Sequence, residues 1–390
     1  MLLILLHPIL NRKIGDLYGM TMVVNSFSLL IGILVNYGTN QSGIKDIALA
    51  KNDKVQRAIE FYNVIFIRSF IFLLFFVLFL FAGTLNIKNY SFFLLAGTVI
   101  FAEVLNPLFL YIGMEKLSMF NIINVFIKLA VILSVILLIN GPEDAVWVNF
   151  YIGLSHIIGY LILIIYAIVK FGLPFKKFNH LNFRMLLKDN IYLVSNGLSS
   201  HLQQSFMLFA IAKWGTSGWL YAYSISDKVI WSARLLIISI SNAIYPKAAV
   251  IFNESQAAFI YMKQRYNRFL GVCFGLISLL IFIFAPLIIR LYTGDENQTA
   301  ILFLRLMSLS PLLASLNALN IIHLLISNQN KQILKIGLFL LLLSLFLSTT
   351  AIYFNNIYYV GIYLVIVEAL ALIYYTYSTS QNRPQLLKAN

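Results

Sequence analysis

Eleven apolar stretches, each long enough to cross a lipid bilayer as a single helix, follow one another along this 390-residue chain. A helix needs about 20 apolar residues to span the hydrocarbon core. The predicted spans cover residues 20–43, 61–83, 91–113, 119–140, 147–169, 190–212, 219–242, 269–289, 299–326, 336–354 and 357–378. Residues 1–10 would rise only about 15 Å, so we interpret them as the truncated first of twelve transmembrane helices.

The composition agrees with a chain that is buried in lipid. Hydrophobic residues make up 61% of the chain and charged residues 11%, whereas soluble domains are about a quarter charged. The single cysteine, Cys273, excludes a disulfide framework. The sequence has no phosphate-binding glycine loop, no zinc-protease motif and no serine nucleophile elbow. We therefore predict neither catalytic residues, nor a metal site, nor a cofactor.

The loops divide the basic residues unequally. Of the 28 lysines and arginines, eighteen lie in one alternating set of loops and termini, and five lie in the other set. The positive-inside rule places the larger set, together with the C-terminus, in the cytoplasm. The longest loop is basic and divides the chain into a lobe of residues 1–170, a linker of residues 171–189 and a lobe of residues 190–390. Two six-helix lobes around a central cleft would be parallel repeats with a pseudo-two-fold axis. Because the basic residues are spread over short loops, nucleic acid is an unfavoured partner.

Eight charged residues lie inside the predicted spans, where each costs roughly 2.5–3.5 kcal/mol. We expect them to face an aqueous cavity or one another. The basic ones are Arg68, Lys128, Lys228, Arg234 and Arg305, and the acidic ones are Glu103, Asp227 and Glu368.

Helical spacing predicts which polar residues accompany these charges. Residues three, four or seven positions apart share a helix face. The predicted stripes are Asn25, Ser28, Gly32 and Asn36; Asn121, Asn124 and Lys128; Asp227, Trp231 and Arg234; and Asn196, Gly197, Ser200, His201, Gln203 and Gln204. Two alternatives remain open, because amides also bond helices together and Asp227 could form a structural bridge with Arg234.

Two motifs resemble those of a known family. They read Pro8-Ile9-Leu10-Asn11-Arg12, followed by Tyr37-Gly38-Thr39-Asn40-Gln41-Ser42, and later Asn242-Ala243-Ile244-Tyr245-Pro246-Lys247. The chain resembles the polysaccharide-biosynthesis flippases, which are O-antigen repeat-unit translocases of the multidrug/oligosaccharidyl-lipid/polysaccharide exporter superfamily. Ile9 and Thr39 depart from the family pattern.

The resemblance implies a bacterial inner-membrane flippase that carries undecaprenyl-diphosphate-linked oligosaccharide by alternating access, with a polysaccharide polymerase and chain-length proteins as partners. The intramembrane charge has a surplus of two cations, which suits a diphosphate. We expect Arg68, Lys128 and Arg234 to hold the head group, with Lys228, Arg305, the amide stripes and Trp231 as further cleft residues. Proton or sodium coupling is expected from Asp227, Glu103, Glu368 or His201.

Other functions compete with this one. A multidrug/cation antiporter of the same superfamily would prefer a less cationic cleft. A polysaccharide polymerase or ligase would tend to have a large external loop, whereas the longest loop here is predicted to be internal.

Overall fold

In the computed structural model, the described residues are 6–84, 89–174, 190–327 and 329–381, and they form helices with no strand among them. The first half of the chain contains α1 (Leu6–Ile14), α2 (Leu17–Asn36), α3 (Thr39–Leu49), α4 (Lys54–Gly83), α5 (Tyr90–Leu95), α6 (Gly97–Leu105), α7 (Leu108–Gly113), α8 (Leu117–Leu138), a short 3-10 helix (Pro142–Trp147) and α9 (Val148–Phe171). The second half contains α10 (Ile191–Trp214), α11 (Ser217–Glu254), α12 (Gln256–Ile283), α13 (Ala285–Thr293), α14 (Gln298–Met307), α15 (Ser310–Ile326), α16 (Asn330–Tyr353) and α17 (Ile357–Gln381).

Every predicted full-length span coincides with one helix or with a run of consecutive helices. Within the described residues, nine helical segments are long and apolar enough to cross a membrane. Two further long helices, α10 and α11, carry the amides and charges that the sequence singled out. The chain is therefore an all-helical, multi-pass membrane protein, as predicted.

The described residues form two compact units. We call residues 13–201 the N-terminal unit, and residues 6–12 together with the described residues from 202 onward the C-terminal unit. The division therefore falls inside α1 and inside α10. The lobes of 1–170 and 190–390 stay a prediction, and most of their linker, residues 175–189, lies outside the described residues.

The N-terminal unit is organised around a break in the predicted span 91–113. Pro107 separates α6 from α7, because a proline has no N–H to continue the helix. Beside the break lie buried aromatic residues, with the Phe61 and Phe109 rings stacked 6.0 Å apart. Tyr111 is fully buried, and its hydroxyl donates to the Leu163 carbonyl at 2.7 Å. This core fixes the position of the chain on either side of Pro107.

The C-terminal unit has its own core, in which α11, α12 and α15 pack together through Ile237, Phe274 and Leu319. Near the start of α11, Tyr223 makes an edge contact with Phe303 of α14, with 5.8 Å between ring centres.

Two basic residues that the sequence assigned to membrane topology donate hydrogen bonds to carbonyls at the C-terminal ends of helices. Lys13 donates to the carbonyls of Val135, Ile136 and Ile139 at 2.6–3.3 Å, at the end of α8. Arg12 donates to the Leu291 carbonyl near the end of α13 at 2.8 Å. Cations are favoured there because the last carbonyls of a helix have no intrahelical donor.

Candidate functional site

The N-terminal unit contains a polar cavity of about 340 Å³. Its walls come from α2, α3, α6 and the first half of α10. The lining residues are Leu29, Gly32, Ile33, Asn36, Gly38, Asn40, Gln41, Glu103, Leu193, Val194, Gly197 and His201.

A tight turn between α2 and α3 supplies the amides of this cavity. Tyr37 and Gly38 both have positive φ, at 48° and 71°. A Cβ at Gly38 would lie 2.7 Å from the Leu193 Cβ, so space as well as backbone conformation requires glycine here. The Asn36 Oδ1 accepts from the backbone N–H of Asn40 at 3.2 Å. The turn therefore fixes Asn36 and Asn40 at the cavity wall.

Arg68 lies behind this turn and is fully buried. Its Nε donates to Thr39 Oγ1 at 2.8 Å, and its Nη2 donates to Asn40 Oδ1 at 2.9 Å. Its Nη1 donates to the carbonyls of Glu103 and Asn106 at 3.1 and 2.8 Å. Its guanidinium carbon also lies 5.1 Å from the centre of the Phe109 ring.

The helix break explains why an arginine is needed at this position. In an unbroken helix the Glu103 carbonyl would accept from the N–H of residue 107, but Pro107 has none. The N–H of Leu110 donates to the Pro107 carbonyl instead, so the Asn106 carbonyl also lacks its intrahelical donor. Arg68 satisfies both carbonyls. Its predicted role in holding the head group stays a prediction, and a buried position with this many bonds does not support it.

The cavity brings together two of the predicted coupling residues, Glu103 and His201. The Glu103 side chain is half-buried, and its Oε2 accepts from Asn106 Nδ2 at 3.4 Å. The His201 Nε2 donates to the Ser26 carbonyl at 2.8 Å. Gly32 lies against Glu103, since a Cβ at Gly32 would be 3.1 Å from the Glu103 Cγ.

The charge of this cavity is acidic, and the cationic cleft between the two halves stays a prediction. Among the described residues that line it, Glu103 is the one side chain with a formal charge at neutral pH. Arg68 bonds the wall from behind and does not line the cavity. The arrangement can bind hydroxyls through amides and can hold one proton or cation at Glu103.

In the C-terminal unit, Arg234 of α11 forms an ion pair with Glu368 of α17. Only 9% and 14% of the two side chains are exposed. The partner of Arg234 is therefore on another helix, and is not Asp227, which spacing along one helix had suggested. The pairing with Glu368 neutralises two of the predicted site residues against each other.

Two of the predicted amides bond one helix to another, as the alternative reading of the stripes expected. Asn25 Nδ2 donates to Asn149 Oδ1 at 3.1 Å, which joins α2 to α9. Gln203 Nε2 donates to the Gly337 carbonyl at 2.8 Å, and the Gln203 carbonyl accepts from the Tyr363 hydroxyl at 2.8 Å. These contacts place Asn25 and Gln203 in helix packing.

The other predicted site residues are partly or fully exposed. Arg305 is exposed, and its guanidinium carbon lies 5.7 Å from the centre of the Phe282 ring. Exposed residues also include Asn121 and Trp231, and half-buried ones are Asn124, Lys128, Gln204, Asp227 and Lys228.

Sequence reasoning missed the cavity residues Asn40 and Gln41. Both lie in the motif Tyr37–Ser42, which was used to identify a family and not to find a site. Two adjacent amides directly after a glycine turn were the available signal. Within the described residues, no three histidine, cysteine, aspartate or glutamate side chains come together as metal ligands.

Comparisons with known proteins agree with this architecture. The sequence profile of the family described as "Polysaccharide biosynthesis protein" matches residues 1–252. The chain is 22% identical over 355 residues to a protein of Escherichia coli (strain K12) named "Putative O-antigen transporter", covering 88% of this chain and 84% of that protein. A Shigella dysenteriae protein of the same name is 23% identical over 317 residues, covering 79% of this chain and 77% of that protein.

A solved structure shares the fold. It is an inward-facing multidrug resistance MATE family transporter of the MOP superfamily, and it aligns over 100% of this chain and 96% of its own length. The TM-score is 0.81 at 15% sequence identity, so the likeness is one of fold.

Proposed function

Because the chain belongs to the polysaccharide biosynthesis protein family, we propose that it is a flippase for undecaprenyl-diphosphate-linked oligosaccharide units. It would move O-antigen or other surface-polysaccharide units from the cytoplasmic to the outer leaflet of a bacterial inner membrane, by alternating access of its two halves. The C-terminus would lie in the cytoplasm. The observation that carries the proposal is the polar cavity with Glu103 and His201, inside a chain of transporter fold.

The side chains of the cavity suit one part of the substrate better than the other. Asn36, Asn40 and Gln41 offer both donors and acceptors, which suit the hydroxyls of a sugar. This cavity suits a diphosphate less well, because Glu103 lines it directly, whereas Arg68 lies behind the wall with its donors already bonded to two side chains and two carbonyls. We therefore assign this cavity to sugar hydroxyls and to the coupling ion, and not to the diphosphate.

We assign binding of the diphosphate head group to the remaining intramembrane cations. Arg68 is fully buried and Arg234 is paired with Glu368. Lys128, Lys228 and Arg305 remain, against the acids Glu103 and Asp227. Among these exposed and half-buried residues the cations outnumber the acids by one, and the buried Arg68 adds one further positive charge, which still favours an anionic head group.

Glu103 provides the coupling step of the proposal. A half-buried carboxylate in a polar cavity can take up a proton from one side of the membrane and lose it to the other. Binding of a proton removes the negative charge that faces the amides. The affinity of the cavity for its ligand therefore changes with the protonation of Glu103. His201 is the second group in this cavity that could carry the proton.

A complementation experiment tests the proposal. A strain deleted for this gene should accumulate complete single lipid-linked repeat units on the inner leaflet, and the wild-type gene should restore surface polysaccharide. Glu103→Gln should reach the membrane at normal levels and fail to restore surface polysaccharide. Glu115→Gln, a change of the same kind at an exposed loop residue, is the matched control. Full complementation by Glu103→Gln would overturn the role of Glu103.

The same experiment separates the competing functions. Repeat units that accumulate on the outer leaflet would indicate a polymerase. An antiporter for organic cations is the second candidate, because the charged residue of the cavity is an acid. It would be indicated by normal surface polysaccharide in the deletion strain together with greater sensitivity to cationic drugs.

A further inference from the structure

The C-terminal unit has a groove of about 500 Å³ in the hairpin formed by α11 and α12. Ser255 alone connects the two helices, and its Oγ accepts from the N–H of Ala258 at 3.3 Å. The groove is lined by Lys247, Ile251, Tyr261, Met262, Arg265, Tyr266 and Phe269.

The lengths of the two helices place this groove near the membrane surface. Helix α11 has 38 residues and α12 has 28, so they are about 57 and 42 Å long. Both exceed the hydrocarbon core of about 30 Å. The closed end of the hairpin therefore has enough length to reach the lipid head groups.

The position of the cations within the hairpin indicates the depth of the groove relative to the lipid phosphates. Arg265 lies nine residues from the start of α12, or about 14 Å from the closed end. Farther along the same stripe of α12 come Phe269, Val272 and Leu276, all of them exposed and apolar. Arg265 and the exposed Arg268, three residues farther along, thus stand at the boundary between a polar end and a surface that suits lipid tails, which is the level of the lipid phosphates.

The side chains of the groove suit an anion with an apolar tail. Lys247 and Arg265 are both exposed, one an ammonium and the other a guanidinium fork that fits phosphate oxygens. Tyr261 and Tyr266 add two phenol hydroxyls at the rim, and Met262 forms part of an apolar floor. Lys247 also closes the motif Asn242–Lys247, and the positive-inside rule counts it among the cytoplasmic cations.

We infer that this groove binds the phosphate group of an anionic phospholipid, with Lys247 and Arg265 on the phosphate and the apolar floor against the first part of the tail. Basic pockets between transmembrane helices bind anionic head groups in this way. The inference does not depend on the proposed transport function, and it concerns a different part of the molecule from the cavity at Glu103.

Native mass spectrometry of the full-length protein in detergent tests the inference, with phosphatidylglycerol as the probe and phosphatidylcholine as the neutral reference. Each cation that contacts the head group of a bound anionic lipid contributes roughly fivefold to the affinity for that lipid. The double variant Lys247→Ala/Arg265→Ala should therefore bind phosphatidylglycerol about 25-fold more weakly, and phosphatidylcholine should lose less affinity, because its choline cation offsets the charge of its phosphate. A melting curve of each variant shows that the fold is retained.

The matched control removes two exposed cations from the N-terminal unit, as Lys45→Ala/Lys116→Ala. It should bind phosphatidylglycerol like the wild type. Equal loss in the two double variants would overturn the site, because a general effect of net charge would then explain it. A clear preference of the groove for undecaprenyl diphosphate over phosphatidylglycerol would overturn the assignment to phospholipid. Both results are independent of the complementation experiment with Glu103→Gln.

Discussion

The two units stabilise a buried arginine in different ways. In the N-terminal unit, Arg68 donates to two backbone carbonyls, one amide oxygen and one hydroxyl. In the C-terminal unit, Arg234 is paired with the carboxylate of Glu368. One arginine thus keeps its net charge and is held by dipoles, whereas the other is neutralised by an opposite charge.

Because of this difference, the two arginines have different structural roles. Arg68 satisfies the carbonyls at the helix break before Pro107, and these two of its four acceptors belong to the main chain, which no side-chain substitution can remove. Arg234 and Glu368 neutralise each other's charge, while the buried Nε of Arg234 has no hydrogen-bond partner, so the pair can be replaced as a unit. Breaking a buried pair is costly, whereas replacing both members by apolar residues is often nearly neutral.

The largest effect is expected from Arg68→Ala. The change leaves the carbonyls of Glu103 and Asn106 without their donor, at about 1–3 kcal/mol for each buried group. We expect a loss of roughly 3 kcal/mol or more and a strongly lowered melting temperature in detergent. Arg68→Lys should recover only part of the lost stability, since an ammonium can reach fewer of the four acceptors. An unchanged melting temperature for Arg68→Ala would contradict the structural role.

The next largest effect is expected from Glu368→Leu, which leaves Arg234 buried without its partner. Removing one member of a buried pair costs about 3–5 kcal/mol, and the slight exposure of both side chains places this pair at the lower end. The double variant Arg234→Met/Glu368→Leu should recover most of the lost stability. Thermal unfolding of Arg234→Met, Glu368→Leu and the double variant measures the coupling, and additive losses would show that the two residues act independently.

A smaller effect is expected from Gly32→Ala. The new Cβ would lie 3.1 Å from the Glu103 Cγ, so Glu103 must shift at a cost of about 1 kcal/mol. Gly275→Ala is the control, because the nearest atom to its new Cβ is 3.9 Å away. Surface polysaccharide should fall for Gly32→Ala and stay normal for Gly275→Ala. Equal activity in both variants would argue against a precise position of Glu103.

The smallest effect is expected at the exposed pair of Lys51 and Glu115, whose Nζ and Oε2 are 2.7 Å apart. The hydrogen bond from Lys51, followed by its charge, lowers the pKa of the Glu115 carboxyl. A lowered pKa in the folded state adds stability that is present above the unfolded pKa and is lost as the pH falls through the folded pKa. Lys51→Ala should therefore flatten this part of the acid-side stability curve slightly. A large change at neutral pH would contradict this expectation.

The sequence was sufficient to predict the helices and insufficient to predict the partners of their polar residues. Apolar length alone located the spans, and the missing N–H of Pro107 accounts for the break that the structure shows in the span 91–113. Spacing along one helix suggested Asp227 as the partner of Arg234, because it compares only residues on the same helix. Glu368 is 134 positions away, and only packing brings it close. For the same reason Arg68 was expected to face a cavity, since its acceptors are carbonyls freed by a break 39 residues later in the chain.

The sequence separation of Arg234 and Glu368 also has a consequence during synthesis. Ribosomes add about 5–20 residues per second, so roughly 7–27 seconds pass between the translation of Arg234 and that of Glu368. Arg68 has its last partner, Asn106, only 38 residues later, within about 2–8 seconds. The nascent N-terminal unit can therefore close its charged core soon after it is made, while α11 must enter the membrane and wait for the last helix.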